Sequence, residues 1–264
     1  MAQRFWGFIG SIIAVIFATT LALAANHEMF YKSKTLRIVV GAPPGGGFDA
    51  YSRTIARHVG KHIPGRPPVI VENMPGAGTL VAANFTYKVA KPDGLTIGNF
   101  IGGLIVGQIL GQPGIEFDAR RFEWIGVPSK DNIVCALTKA SGITSVDQWM
   151  ASKTPVKIGG TGRNTAPEDA PKILKAALNL PIQLVSGYKG TADIRLAAES
   201  GELAGGCWQW ESIKATWRKG LETEDVVVVL QVTSKPLPDL PKVPLAISFA
   251  KTEEARRLIQ VGIQ

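Results

Sequence analysis

Glycine-rich loops that follow apolar runs and precede amphipathic stretches recur along this chain. In the first, "IVVGAPPGGGFDAYSR" (38–53), a β-rich run leads into a Pro/Gly loop and then into a helical pattern. Comparable loops follow apolar runs at residues 75–79, 159–165 and 186–190. Because the predicted strands are continuous apolar runs rather than alternating ones, the pattern predicts parallel sheets in an α/β fold.

The alternation falls into two sets with a break near residues 118–128, which predicts two small α/β lobes with a cleft between them. We expect residues 35–122 together with 232–264 in the first lobe and residues 123–231 in the second. The stretch 122–139 contains two strand-like runs, and 166–178 reads as a helix by its period. Ligands of open α/β sheets bind at the carboxyl ends of strands, so the glycine-rich loops should meet at the cleft.

The N-terminal segment "MAQRFWGFIGSIIAVIFATTLALAANHE" has one Arg, followed by an uncharged stretch from Phe5 to Ala25. The Ala-Leu-Ala tract at 22–24 supplies the small residues that a signal peptidase requires, so residues 1–24 are predicted to be a signal peptide. The alternative is a retained membrane anchor, since the apolar run is about long enough to span a bilayer. Either segment would place the remaining chain outside the cytoplasm, and we expect a periplasmic protein.

The two cysteines, Cys135 and Cys207, leave two possibilities open. In an oxidising compartment they could pair, but their spacing in the sequence does not show that their backbones come within bridging distance. They could equally be two separate buried residues.

Charge and motifs exclude several functional classes. The net charge is +8, but the cations are spread along the chain, so no nucleic-acid partner is expected. The chain lacks a P-loop, a dinucleotide fingerprint and a G-x-S-x-G nucleophile motif. His58 and His62 have helical spacing, but without the Glu of H-E-x-x-H they more simply form a solvated helix end. We therefore expect no enzyme activity, no cofactor and no metal.

The glycine-rich loops themselves favour binding of an anion. Glycine lets backbone N–H groups approach a ligand closely, and the start of a helix adds unpaired N–H groups and partial positive charge. Asp49 fits a helix N-cap. In the second lobe, Asn164 and its neighbours supply small donors before a helix, and Arg163 supplies a fixed charge. One helix start contributes only about 0.3–1 kcal/mol, so several loops must act on the ligand together.

An ordered set of motifs resembles the substrate-binding proteins of tripartite tricarboxylate transporters, also called Bug proteins. The motifs are "IVVGAPPGGGFDAYSR", "VIVENMPGAGTLVAAN", "KPDGLTIGNF", "YKGTADIRLAAESGEL" and "LPDLPKVP", in this order. The resemblance implies a two-lobed α/β fold of the periplasmic-binding-protein type (type II) with a hinge between the lobes. It also implies capture of a small carboxylate and its delivery to the permease subunits of a transporter, by a protein expected to be a monomer.

The resemblance further implies that three loops line the cleft and hold carboxylate oxygens through backbone amides and water. The ligand-binding residues carried over in this way are Gly46, Gly47, Phe48, Asp49, Gly76, Ala77, Gly78, Thr161, Gly162, Arg163, Thr165, Tyr188 and Trp208.

Two departures from the family pattern bear on the ligand and on the chain itself. Phe48 and the tract "CWQWE" (207–211) suggest an aromatic ligand if Trp208 and Trp210 line the cleft; the alternative places both in a lobe core. Family members continue past the end of this sequence, so the chain is either a shortened homologue or a fragment, and either alternative would truncate the C-terminal part of the first lobe. The alternatives to a transport protein are a ligand-sensing module for a signalling partner and a truncated, non-functional paralogue.

Overall fold

Eight strands form two separate sheets in the computed structural model, which describes residues 30–261. The predicted signal peptide at 1–24 lies outside the described residues. The strands are β1 (Leu36–Val40), β2 (Val69–Asn73), β3 (Thr96–Asn99), β4 (Ile133–Thr138), β5 (Val156–Gly159), β6 (Ile182–Val185), β7 (Gly205–Gln209) and β8 (Val226–Val232). The smaller sheet has the order β2-β1-β3, and the larger has the order β6-β5-β7-β4-β8.

Helices connect these strands and cover the sheets. They are α1 (Gly47–Val59), α2 (Leu80–Lys88), α3 (Gly103–Ile109), α4 (Val146–Met150), α5 (Ala166–Leu178), α6 (Thr191–Glu199), α7 (Trp210–Thr216), α8 (Arg218–Glu222) and α9 (Glu253–Val261). Within residues 30–261, no helix is both long and apolar enough to cross a membrane.

The smaller sheet is parallel throughout, as its continuous apolar runs predict. Leu36 pairs with Val69 on one side of β1, and Arg37 pairs with Thr96 on the other. Its core is modest, with Leu104 and Phe117 among the buried residues. The loops that follow its three strands approach the other lobe, since Gly47, Gly78 and Gly103 lie against Ser212, Thr165 and Asn164.

The larger sheet is mixed rather than parallel, which corrects the sequence-based expectation. β5 runs parallel to β6 and β7, whereas β4 runs antiparallel to β7 and β8. Cys135 in β4 lies directly opposite Cys207 in β7, and the two form a disulfide. The pairing left open by the sequence is thereby decided, because register brings the two Cα atoms to 4.0 Å.

The C-terminal stretch packs on the larger sheet, contrary to the expectation that residues 232–264 belong to the first lobe. Ala246, Ala255 and Ile259 are buried in the same core cluster as β4 and α5. The physical reason is the amphipathic pattern of α9, whose buried residues Ala255 and Ile259 lie one turn apart and pack towards α5.

Candidate functional site

One large cavity lies between the two sheets and is lined by loops of both. Its volume is about 1810 Å³, well above the roughly 300–1,000 Å³ of a usual small-molecule pocket. The lining includes Gly46 and Gly78 after strands of the smaller sheet and Thr165 and Gly190 after strands of the larger one. The loops that the sequence singled out as glycine-rich therefore do meet in space.

Four helices of nine or more residues begin at this cavity. The residues that precede the first turns of α1, α2, α5 and α6 all line it: Gly46, Thr79, Thr165 and Gly190. At none of these four starts does the capping side chain accept a hydrogen bond from the first turn. First-turn N–H groups at all four starts therefore lack a capping side chain, and the positive ends of four helix dipoles point toward one space.

The start of α1 touches the other lobe closely, because position 47 carries no side chain. A Cβ atom at Gly47 would lie 2.5 Å from Cβ of Ser212 in α7, which is closer than real carbon atoms approach. Ser212 is buried, with 3% of its surface exposed. Glycine at this position allows α1 and α7 to pack together and close one side of the cavity.

The start of α2 is shaped by an unusual backbone. Thr79 has φ +74°, a left-handed conformation that a β-branched residue rarely adopts. Its Oγ1 accepts a hydrogen bond of 3.0 Å from the Ile101 N–H, which helps to hold this geometry. Gly78 before it approaches Thr165 of the other lobe, since a Cβ there would lie 3.1 Å from Thr165 Cγ2. Such strain is often found at ligand-binding positions.

The charges around the cavity favour a negative ligand. Five cationic side chains line it against two acidic ones: Lys91, Arg121, Lys130, Lys189 and Lys235 against Glu123 and Asp131. Together with the four helix starts, this excess of positive charge raises the local potential for an anion.

Asp49 stabilises α1 rather than lining the cavity. Its carboxylate accepts hydrogen bonds from the Gly45 N–H, Arg53 Nε and Asn73 Nδ2 at 2.9–3.0 Å. Burial raises the pKa of Asp49, but these hydrogen bonds and the charge of Arg53 together lower it by more, so the net pKa lies below the ordinary value. The helix begins at Gly47 with Gly46 as N-cap, which corrects the expectation that Asp49 is the cap.

The aromatic character of the cavity comes from other residues than the tryptophans in "CWQWE". Trp208 is fully buried and stacks on Trp217 in a lobe core, with ring centroids 5.7 Å apart, so its predicted ligand contact is wrong. β7 is the middle strand of the larger sheet, and its first four residues are all buried. Phe48 does line the cavity, in company with Phe100, Phe122 and Trp124.

The structure brings about half of the sequence-predicted site residues to the cavity wall. Those that line it are Gly46, Gly47, Phe48, Gly78, Thr161 and Thr165, and those that do not are Asp49, Gly76, Ala77, Gly162, Arg163, Tyr188 and Trp208. Tyr188 instead packs against the Trp208 core and donates its hydroxyl hydrogen bond to Glu202. Asn164 beside Arg163 donates to Gln112 of the first lobe, so this loop also joins the two lobes.

Sequence reasoning missed several polar residues that line the cavity. They are Tyr51, Thr79, Asp131, Asn132, Gln209 and Ser212. Thr79 follows a glycine-rich loop and could have been found by that signal. The others come from a helix interior, a connecting segment and a strand end, where no local pattern marks them.

Comparison with known sequences finds related proteins named UPF0065 or Bug. No protein-family model matches the chain. A UPF0065 protein of Bordetella pertussis is 27% identical over 192 residues, which cover 70% of this chain and 58% of that protein. Protein BugT of Bordetella pertussis is 31% identical over 87 residues, 33% of this chain and 26% of that protein. The chain therefore spans less than two thirds of the length of these two relatives.

Comparison with solved structures identifies the fold. MatC from Rhodopseudomonas palustris, with bound malate, aligns with a TM-score of 0.67 at 19% identity over 86% of this chain and 82% of its own. The periplasmic binding protein BugD aligns with a TM-score of 0.65 at 17% identity, over 88% and 82%. The two-lobed α/β fold of the periplasmic-binding-protein type, expected from the sequence, is thereby confirmed.

Proposed function

We propose that this chain, which belongs to the Bug family of solute-binding proteins, captures a small organic anion in the cavity between its two sheets. The proposed role is binding without chemical conversion. The observation that carries the proposal is the meeting of four helix starts, each without a capping side chain, at one cavity with an excess of cationic side chains.

A carboxylate is the anion that this arrangement fits best. Backbone N–H groups at successive helix starts can each donate to a carboxylate oxygen, and charge-assisted hydrogen bonds of this kind are the stronger ones. MatC supports this choice, because its structure holds malate. An aromatic carboxylate is the narrower form of the proposal, since Phe48 and Phe100 could stack on its ring.

Export to the periplasm and delivery to the permease of a tripartite tricarboxylate-type transporter complete the proposed role. The disulfide between Cys135 and Cys207 supports an oxidising compartment, where such bonds form and persist. The periplasmic location in the name of BugD is a second support.

A charge inserted at the start of α1 tests the proposal. Gly46 lines the cavity and is the N-cap of α1, a position where both Asp and Asn are favourable. A Cβ at this position would lie 3.3 Å from Thr191 Oγ1, so Gly46→Asp and Gly46→Asn carry the same steric cost. The two variants therefore differ only in the negative charge that they place beside the ligand.

Calorimetric titration with a panel of aliphatic and aromatic carboxylates measures the outcome. We expect at least one carboxylate to bind the unchanged protein, and Gly46→Asp to weaken it at least tenfold more than Gly46→Asn does. If no carboxylate binds, or if the two variants bind equally well, anion capture at this cavity is contradicted.

A further inference from the structure

Among residues 30–261, the chain crosses from the smaller lobe to the larger one only once. It leaves the smaller lobe after Phe122, which packs against the core of that lobe, and enters the larger lobe at Ile133 in β4. The later strands all belong to the larger sheet, and α9 packs in the same core as β4. With one covalent connection, the contacts between the lobes decide how firmly the cavity stays closed.

Helix α3 of the smaller lobe has a notch on the side that meets the larger lobe. Gly103 and Gly107 lie four residues apart and therefore on one face of the helix. A Cβ at Gly103 would clash with the main-chain oxygen of Asn164, and a Cβ at Gly107 would lie 2.6 Å from Nδ2 of the same residue. Asn164 comes from the loop between β5 and α5 of the larger lobe. The two glycines thus make room for one residue of the other lobe.

Gln112 completes this contact from the end of α3. Gly111 has φ +68°, and its N–H donates to the Gln108 carbonyl at 3.1 Å. The Gln112 N–H donates to the Gly107 carbonyl at 2.8 Å, so the helix ends in a Schellman motif. This turn brings the Gln112 side chain back beside Gly107, where its Oε1 accepts a hydrogen bond from Asn164 Nδ2.

Asn164 is held in place by its own loop. Its φ of +62° lies in the left-handed region, which Asn adopts more readily than most residues. Beside it, Thr165 Oγ1 donates to the Gly162 carbonyl at 2.6 Å and lies 2.8 Å from Thr161 Oγ1. Because these hydrogen bonds fix the loop, little conformational entropy is lost when Asn164 docks on α3.

We propose that Gly103, Gly107 and Gln112 of the smaller lobe form a latch with Asn164 of the larger lobe, which holds the cavity closed and slows the release of its ligand. None of these four residues lines the cavity. The latch therefore acts on the lobes and does not contact the ligand. Release requires the lobes to separate, which breaks the hydrogen bond between Asn164 and Gln112. The effect on release rests on the proposed function, whereas the effect on the lobes does not.

Distances between spin labels on the two lobes test the latch in the full chain without added ligand. One label is attached at Val89→Cys, after α2, and the other at Leu196→Cys in α6; both positions are exposed and outside the cavity lining. Cys135 and Cys207 are joined in a buried disulfide and do not take a label. The unchanged protein should give one narrow distribution of distances, because the latch holds a single arrangement of the lobes.

Two variants remove the hydrogen bond of the latch from opposite sides. Gln112→Leu removes the acceptor, and Asn164→Gly removes the donor while glycine readily keeps the left-handed backbone. Each should raise the ratio of open to closed protein about fivefold, the effect of losing one hydrogen bond of ordinary strength. The double variant should open no more than either single variant, because both changes remove the same interaction.

Gln183→Leu is the matched control, because Gln183 is an exposed glutamine in β6 that belongs neither to the latch nor to the cavity lining. It should leave the distances unchanged, and thermal unfolding should show that all variants fold. If Gln112→Leu and Asn164→Gly also leave the distances unchanged, or if their effects add in the double variant, the latch is overturned.

Stopped-flow measurement of carboxylate dissociation tests the control of release. A carboxylate that binds the unchanged protein should dissociate about fivefold faster from Gln112→Leu and from Asn164→Gly, because opening precedes release. If the lobes open more often but the carboxylate leaves at the same rate, control of release is overturned. If no carboxylate binds, the proposed function fails, and the distances between the labels still decide whether the latch holds the lobes.

Discussion

The two lobes shape the same cavity in different ways. The smaller sheet approaches the other lobe through glycines: Gly46, Gly47 and Gly78 bring helix starts and loops close to it. The larger sheet also supplies two helix starts, at Thr165 and Gly190, and it adds the side chains of Gln209 and Ser212 on a framework braced by a disulfide. A backbone contribution is sensitive to any added side chain, whereas a side-chain contribution depends on the stability of the strands and helices that carry it.

The largest expected effect is on the larger sheet, through its disulfide. Cys135→Ala with Cys207→Ala should lower the free energy of unfolding by about 2–5 kcal/mol, because the bond closes a loop with a sequence separation of 72 residues. Chemical denaturation of the oxidised protein and of the variant measures the difference. Treatment of the unchanged protein with a reductant under mild denaturation should give a loss of the same sign; equal stability with and without the bond would contradict a bracing role.

The next largest effect is expected where Gly47 of the smaller lobe approaches Ser212 of the larger one. Gly47→Ala places a Cβ against Ser212 and should destabilise the protein by about 1–3 kcal/mol, as over-packing does. Ser212→Gly should restore much of the loss in the double variant, because it removes the side chain that the new Cβ meets. A double-variant cycle by thermal unfolding measures this coupling, and strictly additive effects would show that the two residues do not meet.

A smaller effect on stability is expected at Asp49, whose carboxylate forms a salt bridge with Arg53 after the first glycine-rich loop. Asp49→Asn should cost about 1–2 kcal/mol, since it weakens hydrogen bonds from the Gly45 N–H and Arg53 Nε. Chemical denaturation at neutral pH measures the change. Asp93→Asn, an exposed aspartate in the turn before β3, serves as a control that should cost less.

The same carboxylate predicts how stability depends on pH. The folded-state pKa of Asp49 lies below its ordinary value of 3.8, so its contribution is present above that value. It is lost as the pH falls through the folded-state pKa. The unchanged protein should therefore lose more stability between pH 6 and about pH 3 than Asp49→Asn does, as measured by denaturation at each pH. Parallel curves for the two proteins would show that Asp49 does not titrate with folding.

The smallest expected effect is at Arg163 of the larger lobe. Its side chain is exposed and does not line the cavity, so it can act on the ligand only as a distant charge. Arg163→Ala should weaken carboxylate binding less than about threefold, because solvent screens exposed charges. A loss of more than tenfold in calorimetric titration would mean that Arg163 reaches the ligand when it binds.

Local patterns predicted much of the secondary structure. The helix expected at 166–178 is α5, with the same bounds, and the first glycine-rich loop does lead from β1 into α1. Of the two strand-like runs expected in 122–139, only β4 is a strand. Phe122 and Trp124 in the other run pack with Phe100 instead of pairing with a strand. An apolar run in the sequence does not show whether the segment pairs as a strand in a sheet or packs beside the sheet.

The sequence predicted the parts of the site that glycine-rich loops form. It did not predict the parts where side chains from distant segments meet. Glycine before a helical pattern marks Gly46 and Gly47, because few other residues permit such close approach. Asp131 and Gln209 come from segments more than seventy residues apart, and only the antiparallel pairing of β4 with β7 brings their neighbourhoods together. Trp208 is an error of the opposite kind. Its sequence suggested that it lines the cleft, but on β7 it is fully buried in a lobe core.

The sequence by itself determined that this is an α/β protein with glycine-rich helix starts suited to an anion, because glycine, proline and hydrophobic period act over a few residues. Only the tertiary structure decided the disulfide between Cys135 and Cys207, the place of the C-terminal helix on the larger sheet, and the meeting of Asp131 with Gln209 and Ser212. Those features depend on the register and order of strands far apart in the chain, which packing of the whole molecule sets.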